Sequence, residues 1–260
     1  MEVHKHPQLH HAPKPWKEYI LECFMIFIAV SMGFIAENIR VNFEEKHLEH
    51  EYIESMIKDL RVDTANIASS IKQNDTIVKN IDSMFTYINR PVWNDTTIAV
   101  IYVYQSWYLS NTNTVNFTEQ TISQLKNGMG ARLIKHRAAL DSIMDYDANL
   151  AYLKIQEDLY IQYELKLFDY DGRVFNAKRY AYYPTSKPLN NPGDWVDELI
   201  KYKKTKELLI ENDPKVLNGY IKLVKDNHDL ISTYSYMLKD ANKQATRLIK
   251  FLREEYKIKE

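Results

Sequence analysis

The groups in this 260-residue chain whose types could do chemistry are its 8 histidines and its 35 carboxylates. Four of the histidines, His4, His6, His10 and His11, lie in "HKHPQLHHAP". A histidine-rich tract can bind metal, but nothing in this one fixes ligand geometry, so it reads as a tail with incidental histidines. "EEKHLEH" places Glu44 three residues before His47. Glu-x-x-His on a bundle helix is half of a di-iron carboxylate site, which needs the motif twice and two further glutamates. His136 and His228 are preceded at that spacing by Leu133 and Lys225, so the stretch reads as a solvated helix face. "DYDGR", 169–173, begins like a calcium loop, yet the position that should hold glutamate is Tyr180, and a turn is the better reading. His228 falls among apolar residues at helical spacing and reads as a satisfied core histidine. There is no G-x-S-x-G elbow, no P-loop and no dinucleotide glycine fingerprint. A single cysteine, Cys23, excludes a disulfide framework and a cysteine zinc site. No catalytic, cofactor-binding or metal-ligating residue is therefore assigned, no cofactor is expected, and the chain is not expected to be an enzyme.

Two other features bear on what the chain touches. With 34 basic and 35 acidic residues the net charge is −1, which gives no global pull toward nucleic acid. "RYAYYP", 179–184, is either an exposed aromatic binding patch or packing over a helix end.

The elements that would have to position such groups begin with an apolar run. Tyr19–Ala36 is eighteen residues whose only polar members are Glu22 and Ser31. As a helix it rises about 27 Å, close to the roughly 30 Å hydrocarbon core of a bilayer. Glu22 lies within a turn of one edge, and Trp16 and Tyr19 sit where an aromatic belt would be. A cleaved signal peptide fits the length of the run, but "MGFIAENIR" lacks a small-x-small cleavage site. A soluble core helix would have to be buried on every side. A retained single span is the reading preferred. Lys5, Lys14 and Lys17 on one flank, against Arg40 and Lys46 among four glutamates on the other, place the N-terminal tail in the cytoplasm.

Between Pro15 and Pro91 there is no proline and one glycine, Gly33, which leaves room for a very long helix. Ile53, Ile57, Leu60, Thr64, Ile67, Ile71, Asn74, Val78, Ile81, Phe85 and Ile88 alternate steps of four and three, a heptad seam. Asn74 in that seam either sets register or is paired within the chain. Residues 97–109 fit a helix or an alternating strand, with helix preferred. Thr118 is the expected N-cap of "EQTISQLKN", and "GMG", 128–130, ends or kinks that helix. A further helix is expected from Arg132 to about Phe168, with a weak break at "DYDGR" and resumption through Val174, Phe175 and Tyr180. "YPTSKPLNNPGD" is a loop that leads into a short helix started by Asp194. "NDPKVL" predicts Asp213 as N-cap and Pro214 at N1 of a last helix. That helix repeats the alternation from Leu217 through Val224, His228, Ile231, Ser235, Leu238 and Ala245 to Leu252 and Tyr256.

The stretches "WKEYILECFMIFIAVSMGFIAENIR", "EYIESMIKDLRVDT", "TISQLKNGMGARLI" and "NDPKVLNGYI…ATRLIKFLREEY" resemble an uncharacterised family of membrane-anchored proteins from the Bacteroidota. The resemblance covers most of the chain and is weakest at 90–112 and 169–195. It implies an N-terminal anchor and a helical domain of unknown function, with no site residues to carry over.

The expectation is thus an all-α chain. A short cytoplasmic tail (1–18) leads into a transmembrane helix (19–36), a long heptad helix (37–90) and the remaining helices (91–260) of an elongated antiparallel bundle. The function expected is that of a membrane-anchored scaffold or interaction protein of the bacterial envelope, single-pass in the inner membrane with its bulk in the periplasm. Its partners would be the lipid bilayer and a protein partner or second copy met through the heptad helices, and not nucleic acid. A ligand-sensing bundle that signals through another protein is the second expectation, and an enzyme of unrecognised type the third.

Overall fold

A computed structural model describes residues 15–109, 113–127, 130–176, 192–201 and 208–259. The tail histidines, "RYAYYP" and most of the proline-rich loop lie outside them. The described elements are helical: α1 (Trp16–Ile88), α2 (Asp95–Tyr108), α3 (Gln120–Asn127), α4 (Gly130–Leu133), α5 (Arg137–Val174), α6 (Pro192–Lys201) and α7 (Pro214–Tyr256). The all-α expectation holds, and 97–109 is helix, capped by Asn94, whose side chain accepts the Thr97 N–H. The one extended pairing described is an isolated antiparallel bridge between Phe175 and Leu209.

The chain divides into two compact units, Met1–Glu51 and Tyr52–Glu260. In the first, α1 is long and apolar enough to cross a membrane, with a mean hydropathy of 2.1 over its best 18-residue window and none of that window buried. Just past Ala36, Arg40 is paired with both Glu37 and Glu44. That pairing leaves little free positive charge on this flank.

In the second unit the α1 seam is buried at Ile53, Ile57, Leu60, Ile67, Asn74, Ile81 and Ile88 but only half-buried at Thr64, Ile71, Val78 and Phe85. A second line at seven-residue spacing, Met56, Asp63, Ser70, Ile77 and Met84, is buried beside it. The α7 seam is likewise widened by Tyr220, Asn227, Tyr234, Ala241 and Leu248. A face three residues wide per heptad meets more than one neighbour, whereas a strict two-residue seam suits a two-stranded coil. Polar contacts give the directions. Asp75 of α1 meets Ser235 and Lys239 of α7, and Asp82 meets His228. Advancing along α1 therefore means retreating along α7. Between α5 and α7 the pairs are His136–Glu255, Asn149–Gln244, Glu157–Tyr234 and Tyr170–Val216, which is again antiparallel. α6 lies on α2, with Trp195 against the rings of Tyr102 and Trp107.

Several expected boundaries are corrected. α5 does not begin at Arg132. Leu133 ends α4, and α5 starts at Arg137 because the His136 ring accepts the Ala139 N–H and caps it. "DYDGR" is no break, since α5 runs through it to Val174 and stops at Phe175. Asp171 faces the interior there, and Asp169 and Arg173 pair one turn apart. The Tyr180 part of that expectation lies outside the described residues. α6 starts at Pro192, ahead of Asp194, which falls within its first turn. Asp213 and Pro214 begin α7 as expected, the Asp213 carboxylate accepting the Lys215 N–H at 2.8 Å. Thr118 does not cap α3, because the helix begins at Gln120 and its first carbonyl acceptor is Glu119, which takes the Ser123 N–H at 2.9 Å.

Candidate functional site

The sequence-derived candidates do not converge. Glu44 is bonded to Arg40 and His47 to Glu51, all exposed on α1. His228 is only half-buried, its ring edge-on to Phe85, and each ring nitrogen lies 3.0 Å from a carboxylate oxygen, of Asp82 and of Asp229. The acidic partners that sequence spacing did not reveal come from the facing helix and from the adjacent residue. Asn74 is fully buried and accepts the Asn113 side-chain amide at 2.8 Å, so it is paired within the chain.

What the structure does assemble is a polar column inside the second unit, built on a seam of α5 that sequence patterning missed. Ala139, Ile143, Tyr146, Leu150, Leu153, Glu157, Tyr160, Glu164, Leu167, Asp171 and Val174 alternate steps of four and three without a slip. All but half-buried Glu157 are buried. Among the described residues, the buried charged side chains are the carboxylates of Glu49, Asp63, Glu164 and Asp171, with no lysine or arginine. Tyrosine hydroxyls stand against these and neighbouring groups. Tyr146 donates to Asp63 at 3.2 Å, Tyr234 donates to Glu157, and Tyr220 donates to Gln105 at 2.6 Å, whose amide reaches Asp171. Burial is the main cause pushing the Tyr146, Tyr160 and Tyr234 phenols far up, the nearby carboxylates adding to it, so all three remain protonated donors.

A non-helical segment, residues 113–119, runs through this column as a strap. Val115 and Phe117 are buried while Thr114 and Asn116 face out, an alternation proper to extended backbone. Its polar groups are taken up in register by α1. Asn113 donates to the Ser70 carbonyl at 3.0 Å and to Asn74, the Asn66 amide donates to the Asn116 carbonyl at 3.0 Å, and the Thr118 N–H donates to Asp63 at 2.7 Å. Asp59 then accepts the Thr121 N–H at 3.2 Å and so caps α3 from another helix. On the other side the hydroxyls of Tyr160 and Tyr234 face the backbone at Asn113 and Val115. Buried extended backbone is tolerated where its polar groups find partners, as the Asn116 carbonyl and the Thr118 N–H do. Such an arrangement can position and hold chain. Its protonated phenols and carboxylates form a network of donors and acceptors.

Gly130 fixes a nearby close approach. A Cβ there would stand 2.9 Å from the Leu125 Cα, so α4 folds directly onto α3. Gly128 and Met129 lie outside the described residues. At another part of the unit an open cleft of about 640 Å³ is lined by Trp93, Asn94, Asp95, Thr96 and Asn212, with Ile98 and Leu209. Comparison of the chain with known protein families, with curated proteins and with solved structures finds no match.

Proposed function

We propose that the chain is a single-pass membrane protein of the bacterial envelope whose helical unit acts by binding another protein or a second copy of itself, without catalysis. One observation carries the reading: the stretch Tyr19–Ala36 of α1 is apolar but for Glu22 and Ser31, and among the described residues none of it is buried. A helix apolar all round needs lipid or protein around it. In this reading residues 52–260 form an antiparallel bundle, supported by the α1–α7 and α5–α7 pairings. The helix seams, the uncharged outer stripe Tyr152, Ile155 and Leu159 of α5, and the "TISQLKNGMGARLI" region supply its binding surfaces. The inner membrane, with the bundle in the periplasm, is favoured by Lys5, Lys14 and Lys17 on one flank against Arg40 and Lys46 on the other.

Alkaline carbonate extraction and C-terminal reporter fusions test the placement. The full chain stays in the membrane pellet, a C-terminal alkaline phosphatase is active and a C-terminal green fluorescent protein is dark. Release into the supernatant removes the anchor from the proposal, and the opposite reporter pattern reverses the orientation. A full chain that is monomeric in detergent and recovers no partner from membranes above an unrelated anchored control ends the interaction reading.

The cleft beside Trp93 favours a second reading, a bundle that binds a small polar ligand and signals through a partner. Thermal shift of the full chain against a metabolite library supports it only if the shift is lost in Trp93→Ala.

A further inference from the structure

We propose that Asp63 is an acid-tightened latch on the 113–119 strap, which holds the strap when its carboxyl is protonated and loosens it on ionisation. The inference concerns the second unit alone and does not rest on the membrane reading.

Asp63 is 1% exposed, at the point where α1, α5 and the strap meet. One oxygen accepts the Thr118 N–H at 2.7 Å and the other faces the Tyr146 hydroxyl at 3.2 Å. The groups that bear on it are Asp59 from α1, Tyr146 from α5 and Thr118 from the strap, and none is a cation. A buried carboxylate without a cation is costly in its charged form. A neutral carboxyl here keeps the Thr118 bond, its carbonyl oxygen still accepting that N–H. Its O–H then faces the Tyr146 oxygen, and the phenol O–H that now donates to Asp63 must turn away. Proton uptake therefore removes a buried charge at the cost of one phenol donation.

The electrostatics agree. Burial pushes the Asp63 carboxyl above its ordinary value, the Thr118 and Tyr146 bonds oppose that, and the like charge of Asp59 adds to it. The folded protein then binds this proton more tightly than the unfolded chain. The stability contributed is complete below the ordinary carboxylate value near 4 and is lost as pH rises through the raised folded value. The first element to feel the loss is the strap, because it is short, non-helical and directly bonded to the group that charges. Its release uncovers Asp59, Asp63, Asn66, Ser70 and Asn74 in a row on α1, of which Asp63 and Asn66 hold strap backbone, Ser70 and Asn74 hold the Asn113 side chain, and Asp59 holds the first turn of α3.

The test is amide hydrogen exchange at Thr118 and Thr121 in the full chain in detergent micelles. Rates are corrected for intrinsic pH dependence between pH 4.5 and 8.5 and compared with Asp63→Asn. Asparagine imitates the protonated acid, with an oxygen for Thr118 and an N–H for the Tyr146 oxygen. Thr118 protection in the native chain falls about tenfold for each unit by which the Asp63 titration is displaced, and the variant stays flat. A native profile that is already flat, or a variant that keeps the native slope, overturns the proposal. If Asp63→Asn does not fold, Tyr146→Phe serves. It removes a bond that favours the charged form and so moves the loss of protection to higher pH, and an unmoved midpoint overturns the latch.

Discussion

Tyr234 illustrates how much a single hydroxyl holds in this protein. It donates to Glu157, joining α7 to α5. Tyr234→Phe leaves the ring packing against Tyr160 in place. It takes from half-buried Glu157 a hydrogen-bond donor, and urea denaturation is expected to show a loss of about 1–3 kcal/mol. Asp75 is the opposite case, a largely exposed carboxylate beside Lys239. The Lys239 bond holds its carboxyl below the ordinary range, outweighing burial, which opposes it, with Ser235 adding a lesser pull in the same direction as Lys239. With the folded value lowered, its contribution is present above the unfolded value near 4 and lost as pH falls through the folded one. Solvent screening keeps it small. Asp75→Asn is expected to cost less than about 1 kcal/mol at pH 7, and the difference between the two proteins should close toward pH 3. Neither residue is singled out by its place in the sequence, because the partner of each lies more than 70 residues away. The same holds for His228, which its seam position marks as a core residue but which is only half-buried, and whose Asp82 partner sequence spacing does not show.

The long helices were legible where their seams are apolar. α1 and α7 could be read from unbroken four-three alternation, and Asp213–Pro214 marked where α7 begins. α5 carries the same alternation with tyrosines and acids in many of its places, so an apolar count finds only fragments of it. "NTVNFT", 113–118, carries no helical apolar pattern, and the strap is non-helical. Its burial was hidden because its hydrogen-bond partners belong to α1, α5 and α7. Glycines give an element-level check of these corrections. Gly172 stands in the last turn of α5 with open space where a Cβ would go, whereas Gly130 abuts the Leu125 backbone. Gly172→Ala is expected to stabilise the unit by about 0.5–1 kcal/mol, through helix propensity and a less free unfolded chain. Gly130→Ala should destabilise it, because backbone cannot move aside as a flexible side-chain end can. Thermal melts of the two variants should therefore shift in opposite directions. A stabilising Gly172→Ala would also be hard to reconcile with a broken helix at "DYDGR".

For the whole molecule, the division at Glu51 and Tyr52 separates two chemistries. One unit carries apolar side chains outward, and the other turns acids and phenols inward. The first is open to a blunt test. A charged side chain at the centre of a spanning helix costs about 2.5–3.5 kcal/mol on insertion scales, so Phe27→Arg should lower the membrane-retained fraction after carbonate extraction, whereas an apolar Phe27→Leu should not. The second unit raises a question of order. α3 has eight residues, too few to be stable alone in water, and the first of its orphan N–H groups to be satisfied goes to Asp59, 62 residues earlier. During synthesis the chain emerges N-terminus first, so α1 has left the ribosome well before the strap that must lie along it. α1 then serves as the template on which 113–121 is laid down residue by residue. A circular permutant that delivered the strap first would keep every native contact and lose that head start, and slower refolding with unchanged final stability is the expected cost.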